Sequence, residues 1–352
     1  MRIPGVVTAA ILTTNKCSAA CQECCFQCTP KNNNRVTLHQ MKVFVDNLLT
    51  DFPEVKSLVF TGGECFLLKQ DLFDIITYAS EKGLGTRCIT NGYWAKSKEQ
   101  AKKILSKLKK CGLTEINFST GDNHQEWVPF QNIVNATVCA VNMEMPVVIS
   151  VENHSSAAFK VADVYNHPEI MDMMDEDVEH GLFNVMNTIW IPFQKDTEYS
   201  YNFKAEKEDK SIKKNIKGCD SILEYIGLDP TNQVISCCGL TLSYIDSMKL
   251  GELDDDNLFS LYKKQFDDFL KIWLWVDGPE FIYNYILKEV PAVERNDKLI
   301  HPCQFCAEVY NNPRIKEKLQ ALNEDLMFEV LNRYHVKLKT IARSKMRGEK
   351  VI

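Results

Sequence analysis

Nowhere does the sequence run for the roughly 18 apolar residues that a membrane-spanning helix needs, and "IPGVVTAAILTT" is too short and lacks the flanks of a secretory signal. An excess of positive charge is also missing. The formal net charge of −6 gives no general electrostatic reason to bind nucleic acid or an anionic membrane. Low-complexity tracts are absent too, and with 45% apolar and 25% charged residues over 352 positions the chain can bury a sizeable core. These absences point to a cytoplasmic protein, built as one large domain or as a domain with an appendage. What the sequence has in plenty is cysteine.

Fourteen cysteines are present, and most are grouped: five in "CSAACQECCFQC" (Cys17, Cys21, Cys24, Cys25 and Cys28), then Cys219, Cys237, Cys238, Cys303 and Cys306. In a reducing compartment such grouping points to metal binding or redox chemistry before disulfides. Cys65, Cys88, Cys111 and Cys139 are scattered and read as small buried hydrophobes.

The first half alternates β-branched runs with amphipathic stretches. Strands are expected at "TAAILTT" (8–14), "SLVFT" (57–61), "TRCIT" (86–90), "EINFS" (115–119), "PVVISV" (146–151) and "FNVMNTIWI" (183–191). Between them, "TLHQMKVFVDNLLTDF", "DLFDIITYASEKG" and "SKEQAKKILSKLKKCG" carry helical spacing. Repeated βα units of this kind imply a parallel sheet, open or as a partial barrel, with ligands at the C-terminal ends of its strands. The chemically suggestive residues fall at those ends. The cysteine run follows strand one, Gly62-Gly63-Glu64 strand two, Asn91 to Trp94 strand three, and Ser119 to His124 strand four. Adjacent glycines permit close backbone approach to a ligand, and the carboxylate beyond them could hold a cation.

Cys-x3-Cys-x2-Cys after the first strand, with Gly-Gly-Glu after the second, resembles the radical SAM superfamily. The resemblance covers roughly residues 8–192 and implies an α/β fold, a (β/α)6 partial TIM barrel. It also implies that Cys17, Cys21 and Cys24 bind three irons of a [4Fe–4S] cluster, the fourth iron taking S-adenosylmethionine. The overlapping register Cys21, Cys25, Cys28 has the same spacing. Cys17 is preferred because it follows "ILTT" almost at once, leaving Cys25 and Cys28 a structural role. By the same resemblance Gly62, Gly63 and Glu64 receive the methionine amino group, Asn91 approaches the cofactor, and Ser119 and Asp122 reach the ribose. Two departures stand out. The position before the third cysteine, often aromatic in the family, is Glu23, and the carboxylate after strand four comes one place late, at Asp122.

A charged stretch near 195–217 marks a linker, which divides the chain into a core (1–195), the linker (196–217), a cysteine-rich segment (218–310) and a C-terminal helix (311–352). In the third part, "DPTN" reads as the turn of a hairpin running into Cys237-Cys238-Gly239, and "HPCQFC" supplies Cys303-x2-Cys306. Alone, four such sulfurs would suggest zinc. After a radical SAM core the segment resembles a twitch or SPASM extension, which implies that Cys219, Cys237, Cys303 and Cys306 hold a second [4Fe–4S] cluster. The last helix, from about Arg314, ends in a basic tail that reads as a solvated face or as a landing strip for an acidic peptide.

The longer string "CxxxCxxCCFxCxP", Cys17 to Pro30, is similar to radical SAM peptide epimerases. That similarity implies a ribosomally made precursor peptide as substrate and a flavodoxin- or ferredoxin-like electron donor. Cys238 becomes the candidate hydrogen-atom donor and Cys65 the reserve. A maturase forming thioether or carbon–carbon cross-links, and a non-catalytic metal-binding protein, remain as alternatives. With the core starting near residue 8, no leader-recognition domain is expected ahead of it.

Overall fold

The computed structural model describes residues 3–153, 156–176, 181–190, 218–289, 295–296, 299, 301–321 and 324–346. The charged segment 196–217 lies outside them.

Six strands alternate with helices as the hydrophobic pattern requires: β1 (Thr8–Leu12), β2 (Ser57–Thr61), β3 (Gly85–Thr90), β4 (Glu115–Thr120), β5 (Val147–Asn153) and β6 (Phe183–Ile189). All six pair in parallel and in chain order. Helix α1 (Leu38–Asp51) starts at a capping box between Thr37 and Gln40. Helix α2 (Gln70–Glu81) follows a short turn after β2, and α3 (Lys98–Cys111) runs from a Ser97 cap to Gly112 in the left-handed conformation that ends helices.

The C-terminal segment does not form a separate layer. Strand β7 (Tyr225–Leu228) pairs parallel to β1, and β8 (Gln233–Ile235) and β9 (Lys249–Glu252) continue antiparallel. The sheet therefore runs β6-β5-β4-β3-β2-β1-β7-β8-β9, open at both edges. The hairpin turn is tied by Asp229 Oδ1, which accepts from the N–H groups of Thr231 (2.7 Å) and Gln233 (3.0 Å).

Alternation along β1 divides the core. Ala9 and Ile11 face one cluster, which includes Phe44, Leu48, Ile75 and Leu105 of α1 to α3. Ala10 and Leu12 face the other, with Val59, Tyr225, Trp273, Trp275 and Phe305. The C-terminal helices thus cover the face of the sheet opposite α1 to α3. Leu258–Lys263 and Phe269–Asp277 are separate helices, the second capped by Asp268. The terminal helix likewise divides into Pro313–Gln320 and Glu324–Met346. Part of its basic face turns inward: Arg333 pairs with the buried Asp277 at 2.7 Å, and Lys337 Nζ donates to the Trp275 carbonyl at 2.6 Å. Among the described residues no helix is long and apolar enough to cross a membrane.

Candidate active site at the cysteine loop

The loop between β1 and α1 is stitched to the end of β2 by backbone bonds. Thr13 N donates to Thr61 O (2.8 Å), Gly63 N to Thr14 O (2.6 Å) and Glu64 N to Lys16 O (2.9 Å). Cys17 N then donates to Thr29 O at 3.1 Å, closing the loop on itself. A Cβ on Gly63 would stand 2.2 Å from the Lys16 carbonyl oxygen, and one on Gly62, whose φ is +120°, 2.7 Å from that of Thr14. The glycine pair is thus required by the approach of the cysteine loop itself, where the sequence suggested the approach of a ligand.

Glu64 points inward. Its fully buried carboxylate accepts from Phe66 N (3.1 Å), Asn91 N (2.9 Å) and the Thr90 hydroxyl (2.9 and 3.0 Å), and burial pushes it up to about 7. It therefore locks the ends of β2 and β3 together. Asn91 is carried to the loop by that lock, and its Nδ2 donates to Ser18 Oγ at 3.0 Å and to Cys17 Sγ at 3.6 Å.

Cys17, Cys21 and Cys24 are half-buried, whereas Cys28 is 2% exposed. Burial first, then the charge of Glu64, pushes Cys17 up to about 12; burial, then Cys24 and Cys17, raises Cys21. Cys24 goes the other way, lowered to about 6 by the hydrogen bond of the Cys28 thiol, with the Cys28 N–H also donating to its sulfur at 3.4 Å. Cys28 thus lies behind Cys24 inside the loop, its N–H on the Cys24 sulfur and its own thiol donating to the Phe26 carbonyl at 3.7 Å. Cys25 turns elsewhere: after burial and Cys24, the charge that raises it is that of Cys303.

Beyond β4 the expected pair separates. Ser119 is half-buried in the strand opposite Ser150, while Asp122 accepts from Ala158 N (2.7 Å) and Phe159 N (2.9 Å), bracing the segment after β5. The polar residues that do approach the cysteines were missed or left open. Glu152, at the end of β5 and 1% exposed, accepts from Asn123 N at 2.5 Å and from Asn123 Nδ2 at 3.2 Å. Its other oxygen lies 3.3 Å from His124 Nδ1, and that ring meets Trp190 edge-on at 4.6 Å. The charge of His124 acts on Cys24 and that of Glu152 on Cys21. The one sequence signal for Glu152 was its place near a strand end at the same sheet edge. Glu23 is 2% exposed and burial pushes it up to about 7.

The second sulfur group is assembled from three segments. Cys219 donates its N–H to Leu274 O at 2.8 Å, Cys237 is buried after β8, and Cys303 and Cys306 lie on the helix Pro302–Asn311. A Cβ on Gly239 would stand 3.3 Å from Cys303 Sγ and 3.6 Å from Cys237 Sγ, so the glycine lets the two sulfurs close around it. Each of Cys219, Cys237 and Cys306 responds to charge on others of the group; burial is the main cause in all three and pushes Cys219 up to about 11. Cys238 is exposed, its thiol donating to Ser221 Oγ at 3.7 Å. Cys65, by contrast, is buried in the core with its thiol on Ile89 O at 3.4 Å.

Among the described residues no three His, Cys, Asp or Glu side chains stand close enough to share one metal ion.

Residues 11–137 match the model of the radical SAM superfamily. The chain carries a radical SAM domain. The putative peptide biosynthesis protein YydG of Bacillus subtilis (strain 168) is 26% identical over 131 residues, which are 36% of this chain and 40% of that protein's length. Among solved structures, hexahistidine-tagged anSMEcpe with bound AdoMet aligns over 94% of this chain and 99% of its own, with a TM-score of 0.53 and 13% identity. That likeness extends the shared fold beyond the matched domain into the C-terminal helices. Streptococcus suis SuiB bound to precursor peptide SuiA aligns over 73% of this chain and 65% of its own, with a TM-score of 0.45 and 15% identity. A radical SAM domain implies a [4Fe–4S] cluster and S-adenosylmethionine.

Proposed function

We propose that this chain is a radical SAM enzyme that epimerises residues of a ribosomally made peptide, with Cys17, Cys21 and Cys24 as the ligands of the cofactor-binding cluster. When bound, cluster and cofactor supply a 5′-deoxyadenosyl radical that takes a hydrogen atom from a peptide α-carbon. The loop's own residues suit this role: the Cys28 N–H donates to the Cys24 sulfur, and the Asn91 amide donates to that of Cys17. The buried Cys28 is less suited to be a ligand, which favours this register over Cys21, Cys25, Cys28. The peptide-biosynthesis name of YydG favours a peptide substrate.

The observation that carries epimerisation is the contrast between neighbours. Cys237 is 6% exposed among the other sulfurs, whereas Cys238 is exposed, with its S–H on Ser221 Oγ. We assign Cys237, with Cys219, Cys303 and Cys306, to a second cluster, and Cys238 to delivery of a thiol hydrogen atom to the opposite face of the α-carbon. The α-carbon C–H bond breaks as the C–H bond of 5′-deoxyadenosine forms, and the Cys238 S–H bond then breaks as a new α-carbon C–H bond forms, leaving a thiyl that regains one proton from solvent and one electron from the flavodoxin- or ferredoxin-like donor before the next turnover.

In D2O the product should gain one deuteron per inverted residue with no other change of mass, and Cys238→Ala should still release 5′-deoxyadenosine while failing to invert. Normal epimerisation by that variant would remove Cys238 from the mechanism. Loss of two hydrogens by wild type would replace epimerisation with cross-linking.

A further inference from the structure

In a chain whose formal net charge is −6, a band of exposed cations borders the cysteine loop. Lys16, just before Cys17, is bridged to Thr29, and Lys31 follows two residues on with its N–H on Thr29 Oγ1 at 3.2 Å. Thr14 is bridged to Arg35, whose guanidinium pairs with Asp71 near the start of α2. Lys69 stands two residues before Asp71, and between them Gln70 Oε1 accepts from Lys107 Nζ of α3 at 2.9 Å. These contacts join the loop, the turn after β2 and helices α2 and α3 into one surface. The carboxylates bonded within it are Asp71 and Asp74, the second accepting from Gln70 Nε2 at 2.7 Å, so the band stays positive. Among the described residues Lys16, Lys31, Lys69 and Lys107 pair with no carboxylate. Lys69 is held at a φ of +55°, where glycine costs least, so a long cationic side chain stands there against its backbone preference.

Scattered surface lysines are ordinarily just solvated. This band differs in its place, because Lys16 and Lys31 flank the run Cys17 to Cys28 on either side. A cationic surface of this kind steers a negatively charged partner and fixes its approach, which here ends beside the sulfurs. Radical chemistry at the loop consumes an electron that must come from outside the chain. We propose that the band is the docking surface for an acidic one-electron carrier protein of the flavodoxin or ferredoxin type. One electron leaves the carrier, which is oxidised, and reduces the cluster assigned to Cys17, Cys21 and Cys24, with no atom transferred. The inference rests on the proposed function, which places a cluster at this loop.

The test is equilibrium binding of an oxidised bacterial flavodoxin, and separately of an oxidised ferredoxin, to the anaerobically reconstituted full chain at low and high salt. At low salt Lys31→Glu/Lys69→Glu should weaken the carrier that binds by about tenfold, and adding Lys107→Glu should flatten the salt dependence seen with wild type. Lys249→Glu/Lys288→Glu makes the same change of net charge at exposed sites of the C-terminal segment and should stay within about twofold of wild type. Release of 5′-deoxyadenosine driven by dithionite should be the same in all variants, while release driven by the carrier should fall with its affinity. Equal weakening in both pairs of variants would reduce the effect to net charge and overturns the inference. An oligoglutamate peptide that binds as tightly as either carrier would make the band a general anion site and overturns it too. A cluster-loaded wild type that binds neither carrier overturns the inference alone, whereas a wild type that loads no cluster at the first site overturns the proposed function with it.

Discussion

The two sulfur groups are built in opposite ways. Cys17 to Cys28 belong to one loop, whose shape is set by backbone bonds to the adjacent strand end and by two glycines that allow them. Cys219, Cys237, Cys303 and Cys306 come from three segments, brought together only because the C-terminal helices pack on the face of the sheet opposite α1 to α3. The first group is therefore a local structure, and the second a consequence of tertiary packing. Cys25 and Phe26 are where they meet, since Phe26 packs into the second core and Cys25 feels the charge of Cys303.

The largest effect expected from this contrast is all-or-none. Replacing Cys17, Cys21 and Cys24 together by alanine should remove one cluster's iron and abolish reductive cleavage of S-adenosylmethionine, measured as 5′-deoxyadenosine. Cys303→Ala/Cys306→Ala should also lose one cluster's iron yet keep cleavage. If the second pair abolishes cleavage as well, the two groups are not separable and the comparison fails. Should the Cys25/Cys28 double variant abolish it while Cys17→Ala retains it, the ligand register is the other one.

The same contrast decides what the sequence made legible. Strands β1 to β6 and helices α1 to α3 lie close to where periodicity and caps put them, because each is a local amphipathic pattern. That β7 would extend the sheet next to β1 was not legible, since pairing between segments more than 200 residues apart leaves no local mark. At the site, the cysteine spacing and Asn91 could be read off, but the direction of Glu64 could not. Its buried lock on Thr90 and Asn91 depends on the neighbouring strand. Asp122 and Glu152 make the same point: the motif-like carboxylate braces a backbone turn, while an unmarked one on β5 faces the cysteine loop.

A smaller effect tests whether the glycines serve the loop. A methyl group on Gly63 would stand 2.2 Å from the Lys16 carbonyl oxygen, and neither backbone can yield without breaking the Glu64–Lys16 bond. Gly63→Ala should therefore cost about 3 kcal/mol in urea unfolding and lower iron retention at the first site more than at the second. Equal loss at both sites would show that the strain spreads through the sheet instead of staying at the loop.

The smallest effect addresses the packing on which the second group depends. Asp277 is 7% exposed in its side chain and accepts from Trp273 Nε1 at 2.9 Å and from Arg333 at 2.7 and 3.2 Å. Arg333→Ala leaves that carboxylate with the indole alone. Because the guanidinium is itself 41% exposed, the cost is reduced from that of a fully buried pair to about 1–2 kcal/mol. The loss should appear as a lower unfolding midpoint and faster chelator extraction of iron from the second site, with the first unchanged. Lys337 sharpens the outcome. Its ammonium lies 4.2 Å from the centre of the Trp275 ring and bonds that residue's carbonyl, so Lys337→Ala should act in the same direction. If these two changes instead raise the KM for peptide and leave stability untouched, the basic helix is a landing strip for substrate and not a strut behind the second sulfur group.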